Sequence, residues 1–183
     1  MKLDGLKNMR AGVRSLKGIC LVFVFLMFIS SLTSAEFYFE TDKRINPDTS
    51  NTSQQRNVAM AVLNYSGTEY LVAVYQDQSV SLRPVITCKV SSNGGVTWSD
   101  DVIISTDTNQ QNYDPDVYTM GNYIYVVWTM TKSTGKRATM FAYSANGGVT
   151  FSTPIEVNPA GTLDENQPQV AADPYGHVYV AWW

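Results

Sequence analysis

Residues 91–99 read Ser-Ser-Asn-Gly-Gly-Val-Thr-Trp-Ser, and residues 144–152 read Ser-Ala-Asn-Gly-Gly-Val-Thr-Phe-Ser. The two segments begin 53 residues apart and differ at their second and eighth positions. The same 53-residue spacing relates Asp-Pro-Asp-Val at 114–117 to Gln-Pro-Gln-Val at 167–170. A fixed spacing that holds over several segments indicates a structural unit that is used more than once. We refer to residues 91–99 and 144–152 as the box segments.

Each period contains a succession of short strand patterns. In the second period, apolar, β-branched and aromatic residues concentrate in four stretches, 117–120, 123–128, 138–143 and 155–157. Gly121-Asn122 and residues 132–136 separate the first three stretches with turn-forming residues. No window carries a sustained helical period. Four short antiparallel strands in about 50 residues are typical of a β-propeller blade.

The box segments carry turn chemistry between strand patterns. Asn93 and Asn146 each precede a glycine, and an Asn-Gly pair between strands predicts a hairpin turn whose two central residues have positive φ. We expect each asparagine to accept backbone N–H bonds across the turn, and the serine and threonine hydroxyls to do so more weakly. Trp98 and Phe151 are expected to fold back and pack between strands. Each box segment is therefore predicted to form a self-capped hairpin.

These segments resemble the Asp-box, or BNR repeat, of sialidases and related propellers, whose pattern is S-x-D-x-G-x-T-W. The positions that correspond to this pattern are Ser91, Asn93, Gly95, Thr97 and Trp98, and Ser144, Asn146, Gly148, Thr150 and Phe151. Asn93 and Asn146 stand where the family has aspartate, so the acceptor oxygen is kept and the charge is lost. The resemblance covers nearly all of residues 57–183. It implies a propeller of the sialidase-like superfamily, in which the box is structural and joins the outer two strands of a blade, away from the catalytic face.

The repeat and the resemblance together predict an all-β chain with an incomplete set of blades. We assign residues 1–35 to a signal peptide, 36–56 to a polar lead-in, 57–110 to blade one, 111–165 to blade two, and 166–183 to the start of a third blade. Propellers close with four to eight blades. We therefore expect the chain to be an N-terminal fragment of a longer protein.

The first 35 residues have the features of an export signal. Five basic residues precede an apolar run at 19–32, which is followed by small residues through Ala35. The run is shorter than the ~20 residues that span a bilayer as a helix. This pattern predicts cleavage after Ala35 and a secreted, cell-surface or periplasmic protein, with an uncleaved N-terminal anchor as the alternative. We expect no further membrane span.

Charge and composition exclude several classes of function. Residues 36–183 contain 8 basic and 15 acidic residues, so phosphate backbones would repel them and nucleic acid is excluded as a partner. Cys88 is the single cysteine beyond residue 35, and we expect it to be a buried strand residue. His177 is expected to be a turn residue beside Gly176, with no cluster of cysteine, histidine or acidic residues around it. We therefore expect no metal site, no histidine-based triad and no cofactor.

A sialidase-like site, as the family implies, needs three arginines around a carboxylate, a tyrosine paired with a glutamate, and an aspartate. The candidate arginines are Arg44, Arg56, Arg83 and Arg137. Arg44-Ile45-Asn46-Pro47 is similar to the family's Arg-Ile-Pro element but carries the additional Asn46. These four arginines do not identify a catalytic site, and no catalytic residue is assigned.

Acidic residues provide a second group of candidates. Asp114 and Asp116 flank a proline near the expected start of an innermost strand, where two carboxylates could perform glycosidase acid/base chemistry. The alternative is that Asp114-Pro115 is a turn that starts the strand, and this is favoured because Gln167 and Gln169 occupy the equivalent positions. Asp77 is a further candidate.

These observations favour an exported module that binds glycans or surface proteins and has no complete catalytic site in this chain. The alternative is an exo-sialidase-like glycoside hydrolase whose remaining catalytic residues lie beyond residue 183.

Overall fold

The structure, a computed structural model, describes residue 45 and residues 54–79, 81–158 and 166–183. The predicted signal peptide and most of the lead-in lie outside these residues. Within the described ranges the chain forms ten strands: β1 (Gln55–Tyr65), β2 (Thr68–Asp77), β3 (Val85–Ser91), β4 (Val102–Ile103), β5 (Gln111–Met120), β6 (Tyr123–Thr131), β7 (Arg137–Ser144), β8 (Ile155–Glu156), β9 (Gln169–Ala172) and β10 (Val178–Ala181). No helix in this part of the chain is long and apolar enough to cross a membrane.

The strands form two four-stranded sheets and a hairpin. The first sheet has the order β1-β2-β3-β4, the second has the order β5-β6-β7-β8, and β9 pairs with β10. All neighbouring strands are antiparallel. The prediction of an all-β chain built from antiparallel four-stranded sheets is confirmed.

The first strand of the second sheet is longer than its sequence pattern predicts. The apolar stretch 117–120 is only the end of β5, which begins at Gln111. Asp114 and Pro115 lie inside the strand, at an irregularity in its pairing with β6 between Tyr113 and Asp116. Proline cannot donate a ladder hydrogen bond, and a bulge is one of the few places in a strand that tolerates it. The interpretation of Asp114-Pro115 as a turn that starts the strand is therefore wrong.

The two sheets pack face to face around a continuous apolar core. The fully buried residues of this core include Leu63, Val72, Val74, Ile86 and Cys88 of the first sheet, and Ile124, Val126, Trp128, Ala138 and Ala142 of the second. Burying one valine or isoleucine side chain stabilises a fold by about 1.5–3 kcal/mol, so this core supplies much of the stability. Burial also raises the pKa of the Cys88 thiol to about 12. The thiol therefore stays protonated.

Strand β6 is buried on both faces. Ile124, Val126 and Trp128 face the first sheet, whereas Tyr125 and Val127 pack with residues of β9 and β10. Side chains alternate between the two faces of a strand. Because the spacing of 53 residues is odd, an even-numbered residue of the first sheet corresponds to an odd-numbered residue of the second sheet. Val74 accordingly faces the second sheet, and its repeat equivalent Val127 faces the hairpin. Each unit thus presents the same face to the unit that follows it, which is a head-to-tail arrangement.

Candidate functional site

The strand directions bring the starts of the inner strands together at one edge. In the first sheet Gln55 pairs with Asp77, and Asp77 with Val85. In the second sheet Gln111 pairs with Thr131, and Thr131 with Arg137. The starts of β1, β3, β5 and β7 therefore lie at the same edge as the β2–β3 and β6–β7 loops. We call this the upper edge, and the opposite edge, which carries the box segments, the box edge.

Three polar residues at the upper edge have a left-handed backbone. The φ angle is 51° at Asn57, 51° at Asp114 and 46° at Gln167. Asn57 lies near the start of β1, Asp114 lies in β5, and Gln167 lies two residues before β9. A non-glycine residue in this conformation costs about 1–2 kcal/mol, and such residues cluster at ligand-binding sites. The three lie at or near the starts of β1, β5 and β9, which are the first strands of the two sheets and of the hairpin.

Hydrogen bonds link the neighbouring units at these positions. The Nδ2 of Asn57 donates to Oδ1 of Asp114 over 2.7 Å, which connects β1 to β5. The backbone N–H of Val170 donates to Oδ2 of Asp116 over 2.9 Å, which connects β9 to β5. One carboxylate oxygen of each aspartate is therefore used between units. Among the described residues, none donates a hydrogen bond to the other carboxylate oxygen of Asp114 or of Asp116.

These residues surround a cavity of about 270 Å³, which we call the inner-strand cavity. Its walls are Asn57 and Val58 of β1, Asp114, Pro115 and Asp116 of β5, and Gln167, Pro168 and Gln169 around the start of β9. The volume lies just below the roughly 300–1,000 Å³ of pockets that hold drug-sized ligands. Carboxylates accept hydrogen bonds, and side-chain amides both donate and accept them. The cavity therefore suits a small ligand rich in hydroxyl groups.

The other sequence candidates do not line this cavity. Asp77 is buried at the end of β2, where Gln55 and both the backbone N–H and the hydroxyl of Ser79 donate hydrogen bonds to its carboxylate. Arg137 hydrogen-bonds to Asn166 and lies 5.9 Å from the centre of the Tyr113 ring. These contacts give Asp77 and Arg137 structural roles.

The remaining arginines are dispersed along the chain. Arg56 is exposed in β1, Arg83 lines a different cavity at the upper edge, and Arg44 lies outside the described residues. Among the residues that the structure describes, no arginine lines the inner-strand cavity. The arginine cluster that the resemblance implies is therefore not formed by the described part of this chain.

The two box segments have the same hydrogen-bond network at the box edge. The N–H of Thr97 donates to Oδ1 of Asn93 over 2.9 Å, and Nδ2 of Asn93 donates to Oγ1 of Thr97 over 2.8 Å. The hydroxyl of Ser91 donates to Asn93 Oδ1 and accepts from the N–H of Gly95, both over 2.9 Å. In the second segment Ser144, Asn146, Gly148 and Thr150 form the same four bonds at 2.8–3.0 Å. The serine, the asparagine and the threonine thus close the loop together.

The backbone of the box segments differs from the predicted two-residue turn. The left-handed residues are Gly94 and Gly95, with φ of 67° and 83°, and Gly147 and Gly148, with φ of 70° and 87°. The prediction that the asparagine of each Asn-Gly pair has positive φ was wrong. The asparagine side chain is instead engaged with the threonine four residues later. A longer loop allows this, since residues 92–101 separate β3 from β4.

The box segments differ in their surroundings. A Cβ atom placed on Gly148 would lie 2.9 Å from Cγ1 of Val90, whereas one on the equivalent Gly95 would lie 3.6 Å from Leu71 and 3.7 Å from the Trp98 ring. Phe151 packs against the shared core, and Trp98 is half-buried. The second box segment therefore packs against the first sheet.

Tyr75, Trp128 and Trp182 follow one another at spacings of 53 and 54 residues, but their surroundings differ. The hydroxyl of Tyr75 donates to Oδ1 of Asp101 over 2.5 Å, and the Nζ of buried Lys89 lies 3.4 Å from the same oxygen. Burial raises the pKa of the Tyr75 hydroxyl by desolvation, which is the largest cause, and the hydrogen bond to Asp101 raises it further. Trp128 is 1% exposed, whereas Trp182 is 36% exposed. The 53-residue spacing did not indicate that Asp101 is the partner of Tyr75, because no aspartate stands at the equivalent position of the second period.

His177 has an acidic partner that the sequence analysis missed. Its Nδ1 lies 2.8 Å from Oδ2 of Asp173, and its backbone N–H donates to Oδ1 over 3.0 Å. The N–H of Tyr175 and the hydroxyl of Tyr179 donate to the same carboxylate. Asp173 precedes His177 across a tight turn, so a single carboxylate lies beside the imidazole ring. In the described part of the chain, no three histidine, cysteine or acidic side chains group as a metal site would require.

The described residues thus define an all-β protein of stacked antiparallel sheets with a polar cavity at the start of its inner strands. No protein-family model matches the chain, and no curated protein matches it. Solved structures with partial similarity include a Hadza microbial sialidase, with a TM-score of 0.45 and 20% identity over 56% of this chain and 25% of that chain. An endo-arabinase from Bacteroides thetaiotaomicron has a TM-score of 0.44 and 15% identity over 70% of this chain and 50% of that one.

A third similar structure is a sialidase from Trypanosoma rangeli in complex with the inhibitor DANA, with a TM-score of 0.42 and 14% identity over 67% of this chain and 28% of that chain. The chain spans between 25% and 50% of the length of these three structures. These likenesses assign neither a family nor an activity to the chain.

Proposed function

We propose that this chain is part of an exported, glycan-binding β-propeller of the Asp-box type, and that the inner-strand cavity is its binding site. In this proposal residues 57–110 and 111–165 are two blades, and residues 166–183 begin a third. The observation that carries the binding site is the set of three left-handed polar residues, Asn57, Asp114 and Gln167, around one cavity. A left-handed backbone at a non-glycine residue costs free energy, and residues of this kind cluster at ligand-binding sites. Three of them around one cavity therefore support a ligand-binding role.

The head-to-tail packing of the units supports the propeller. On the face of the second sheet that meets β9 and β10, four large residues lie beside the hairpin and remain partly exposed: Tyr123, Phe141, Tyr143 and Ile155. In the first sheet, the corresponding strand β3 contributes Ile86 and Cys88 to the buried core that also contains Ala138, Met140 and Ala142 of β7. A complete third sheet would cover the second sheet in the same way. A head-to-tail series of this kind closes into a ring when the rotation between units allows it.

The chemistry of the cavity supports a saccharide as the ligand. Asp114, Asp116, Gln167 and Gln169 offer carboxylate and amide groups, and Pro115 and Pro168 contribute apolar surface between them. Sugar rings present hydroxyl groups around an apolar C–H face, which this combination matches. Without an arginine among its described walls, the cavity favours a neutral sugar.

The test is glycan binding by the protein that contains this chain. A glycan array followed by calorimetric titration of the best ligand should show saturable binding. Asp116→Asn removes a carboxylate of the cavity and is expected to weaken binding about tenfold, since hydrogen bonds to charged groups contribute about 1.5–3 kcal/mol. Asp100→Asn makes the same chemical change at an exposed position of the box edge and is expected to leave affinity unchanged. Equal effects of both substitutions, or no binding by the unmodified protein, would contradict the proposal.

A second candidate function is an exo-sialidase-like glycoside hydrolase whose remaining catalytic residues lie beyond residue 183. The observation that favours it is that two aspartates, Asp114 and Asp116, line one cavity, since a sialidase-like site requires an aspartate. Fluorogenic glycosides, sialosides among them, distinguish the two functions. Turnover that disappears in Asp114→Asn and Asp116→Asn, while binding of the product sugar persists, would establish the hydrolase.

A further inference from the structure

A second cavity of about 380 Å³ opens at the upper edge, and we call it the outer cavity. Three segments form its walls: the β2–β3 loop with Arg83, the connection from β4 to β5 with Gln110 and Gln111, and the end of β6 and its following loop with Thr131, Lys132 and Ser133. It shares no residue with the inner-strand cavity. The two cavities lie at the same edge and are separate sites.

The walls of the outer cavity are held by internal hydrogen bonds. Asn112 is fully buried, and its Nδ2 lies within 3.1–3.3 Å of the carbonyl oxygens of Pro84, Asp107 and Gln110. Its Oδ1 accepts a hydrogen bond of 2.9 Å from the Trp128 indole N–H. This side chain therefore fastens the connection to β5 against the β2–β3 loop.

The third wall is closed by its own loop. The N–H of Lys132 donates to the Lys136 carbonyl over 2.7 Å, and the N–H of Gly135 donates to the Lys132 carbonyl over 2.9 Å. Because hydrogen bonds hold the backbone of these three segments, the conformational entropy lost on binding is mainly that of the ligand-contacting side chains.

The charged groups of the outer cavity are cationic, in contrast to a chain with a net charge of −3. Lys132 Nζ lies 2.7 Å from Oε1 of Glu156, and about a third of each of these side chains is exposed. Among the described residues, no carboxylate lies within ion-pair distance of Arg83. A planar guanidinium binds carboxylates and sulfates through paired hydrogen bonds, and the amides and hydroxyls around it suit the rest of such a ligand.

We propose that the outer cavity binds the oxyanion of an acidic saccharide, either a carboxylate or a sulfate ester, with Arg83 as its principal partner and Lys132 as the second. The saccharide part of this assignment rests on the proposed glycan-binding function. Lys132 is shared between the ligand and Glu156, so Glu156 competes with the ligand for the ammonium group. The site therefore has two residues, Arg83 and Lys132, whose loss weakens binding, and one, Glu156, whose loss strengthens it.

The experiment is a calorimetric titration of the protein that contains this chain with three disaccharides of one linkage: a galacturonate form, a 6-O-sulfated galactose form and the neutral galactose form. We expect at least one anionic form to bind about tenfold more tightly than the neutral form. This preference should decline as salt rises from 50 to 500 mM, because the site is open to solvent. The anionic form that binds more tightly identifies the oxyanion.

Three variants test the assignment of residues. Arg83→Gln is expected to remove most of the preference for the anionic form, and Glu156→Gln to increase affinity for it by about two- to fivefold, since exposed ion pairs contribute about 0.2–1 kcal/mol. Arg56→Gln removes the same charge as Arg83→Gln but from an exposed residue that lines neither cavity, so it should change affinity little. Equal losses in Arg83→Gln and Arg56→Gln, or no increase in Glu156→Gln, would overturn the proposal.

Failure of this proposal is distinguishable from failure of the glycan-binding function. If all three disaccharides bind equally and Asp116→Asn weakens them all, glycan binding stands and the oxyanion site is refuted. If none of them binds and the glycan array is also empty, both proposals are refuted. Circular dichroism and thermal unfolding of each variant should match the unmodified protein, since Arg83 and Glu156 are exposed.

Discussion

The side-chain amide of Asn57 donates a hydrogen bond of 2.7 Å to the carboxylate of Asp114, and both residues hold their backbones at a φ of 51°. The bond joins the first strands of two neighbouring sheets at the same structural irregularity. Each residue thus stabilises the conformation of the other, and together they form part of the wall of the inner-strand cavity. The left-handed backbone and the hydrogen bond between the two sheets therefore involve the same two residues.

Asp114→Ala is expected to destabilise the protein by about 1–3 kcal/mol, because it removes the hydrogen bond and places an alanine at positive φ. Asp114→Gly also loses the bond, but glycine adopts positive φ without a steric penalty, so the loss should be about 1 kcal/mol smaller. Urea unfolding measures both. If the glycine variant proved the less stable of the two, the backbone at this position would not be strained.

Gly148→Ala is expected to be more destabilising than Gly95→Ala, although the two glycines occupy the same position of the two box segments. Both substitutions place a Cβ at positive φ, which costs about 1–2 kcal/mol. At Gly148 the new atom would also lie 2.9 Å from Val90, and overpacking adds about 1–3 kcal/mol. Denaturant unfolding of the pair measures the difference, and equal losses would show that the second box segment does not pack tightly against the first sheet.

Asn146→Asp is expected to change stability by less than about 0.5 kcal/mol, whereas Asn146→Ala should cost about 1–2 kcal/mol. Aspartate keeps the acceptor for the Thr150 N–H, and the Thr150 hydroxyl can rotate to donate where it now accepts from Nδ2. Alanine loses both of these bonds and the hydrogen bond that the Ser144 hydroxyl donates to Asn146. Thermal unfolding measures the two variants, and a large loss in the aspartate variant would mean that the amide donor is required.

The β9–β10 hairpin is expected to lose stability in acid. Desolvation raises the pKa of Asp173, but hydrogen bonds from the side chain and backbone of His177, from Tyr179 and from Tyr175 outweigh it and bring the pKa down to about 2. Because the folded pKa lies below the unfolded value of 3.8, this stabilisation is complete above pH 4 and disappears as the pH falls through about 2.

The measurement is the protection of the His177 backbone amide from hydrogen exchange between pH 5 and 2, since this amide donates to Asp173. Asp173→Asn removes the titrating group and serves as the control, because its exchange should follow only the intrinsic pH dependence of amides. A hairpin whose protection follows that intrinsic dependence in the unmodified protein would contradict the expectation.

Much of the fold could be predicted because strand patterns are local. The alternation and β-branched content of residues 123–128 and 138–143 predicted strands that the structure extends by a few residues at their ends, to Tyr123–Thr131 and Arg137–Ser144. The start of β5 was not predictable in this way. Its first residues are polar and contain a proline, and they join the sheet because the neighbouring strand supplies hydrogen-bond partners.

The candidate site was predictable only in part. Asp114 and Asp116 drew attention as two carboxylates beside a proline. Asn57 did not, because it lies 57 residues before Asp114 and so falls outside the 53-residue period that relates Asp114 to Gln167. Glutamine has no local preference for positive φ, so nothing in the sequence near Gln167 indicated its conformation.

The sequence by itself determined the antiparallel strand content and the hydrogen-bonding residues of the box segments, because each of these depends on side chains within a few positions of one another. Only the tertiary structure decided that three left-handed residues surround one cavity, and that Arg83 and Lys132 share another. Those groups come from different units, and the stacking of the sheets through their common apolar core brings them together.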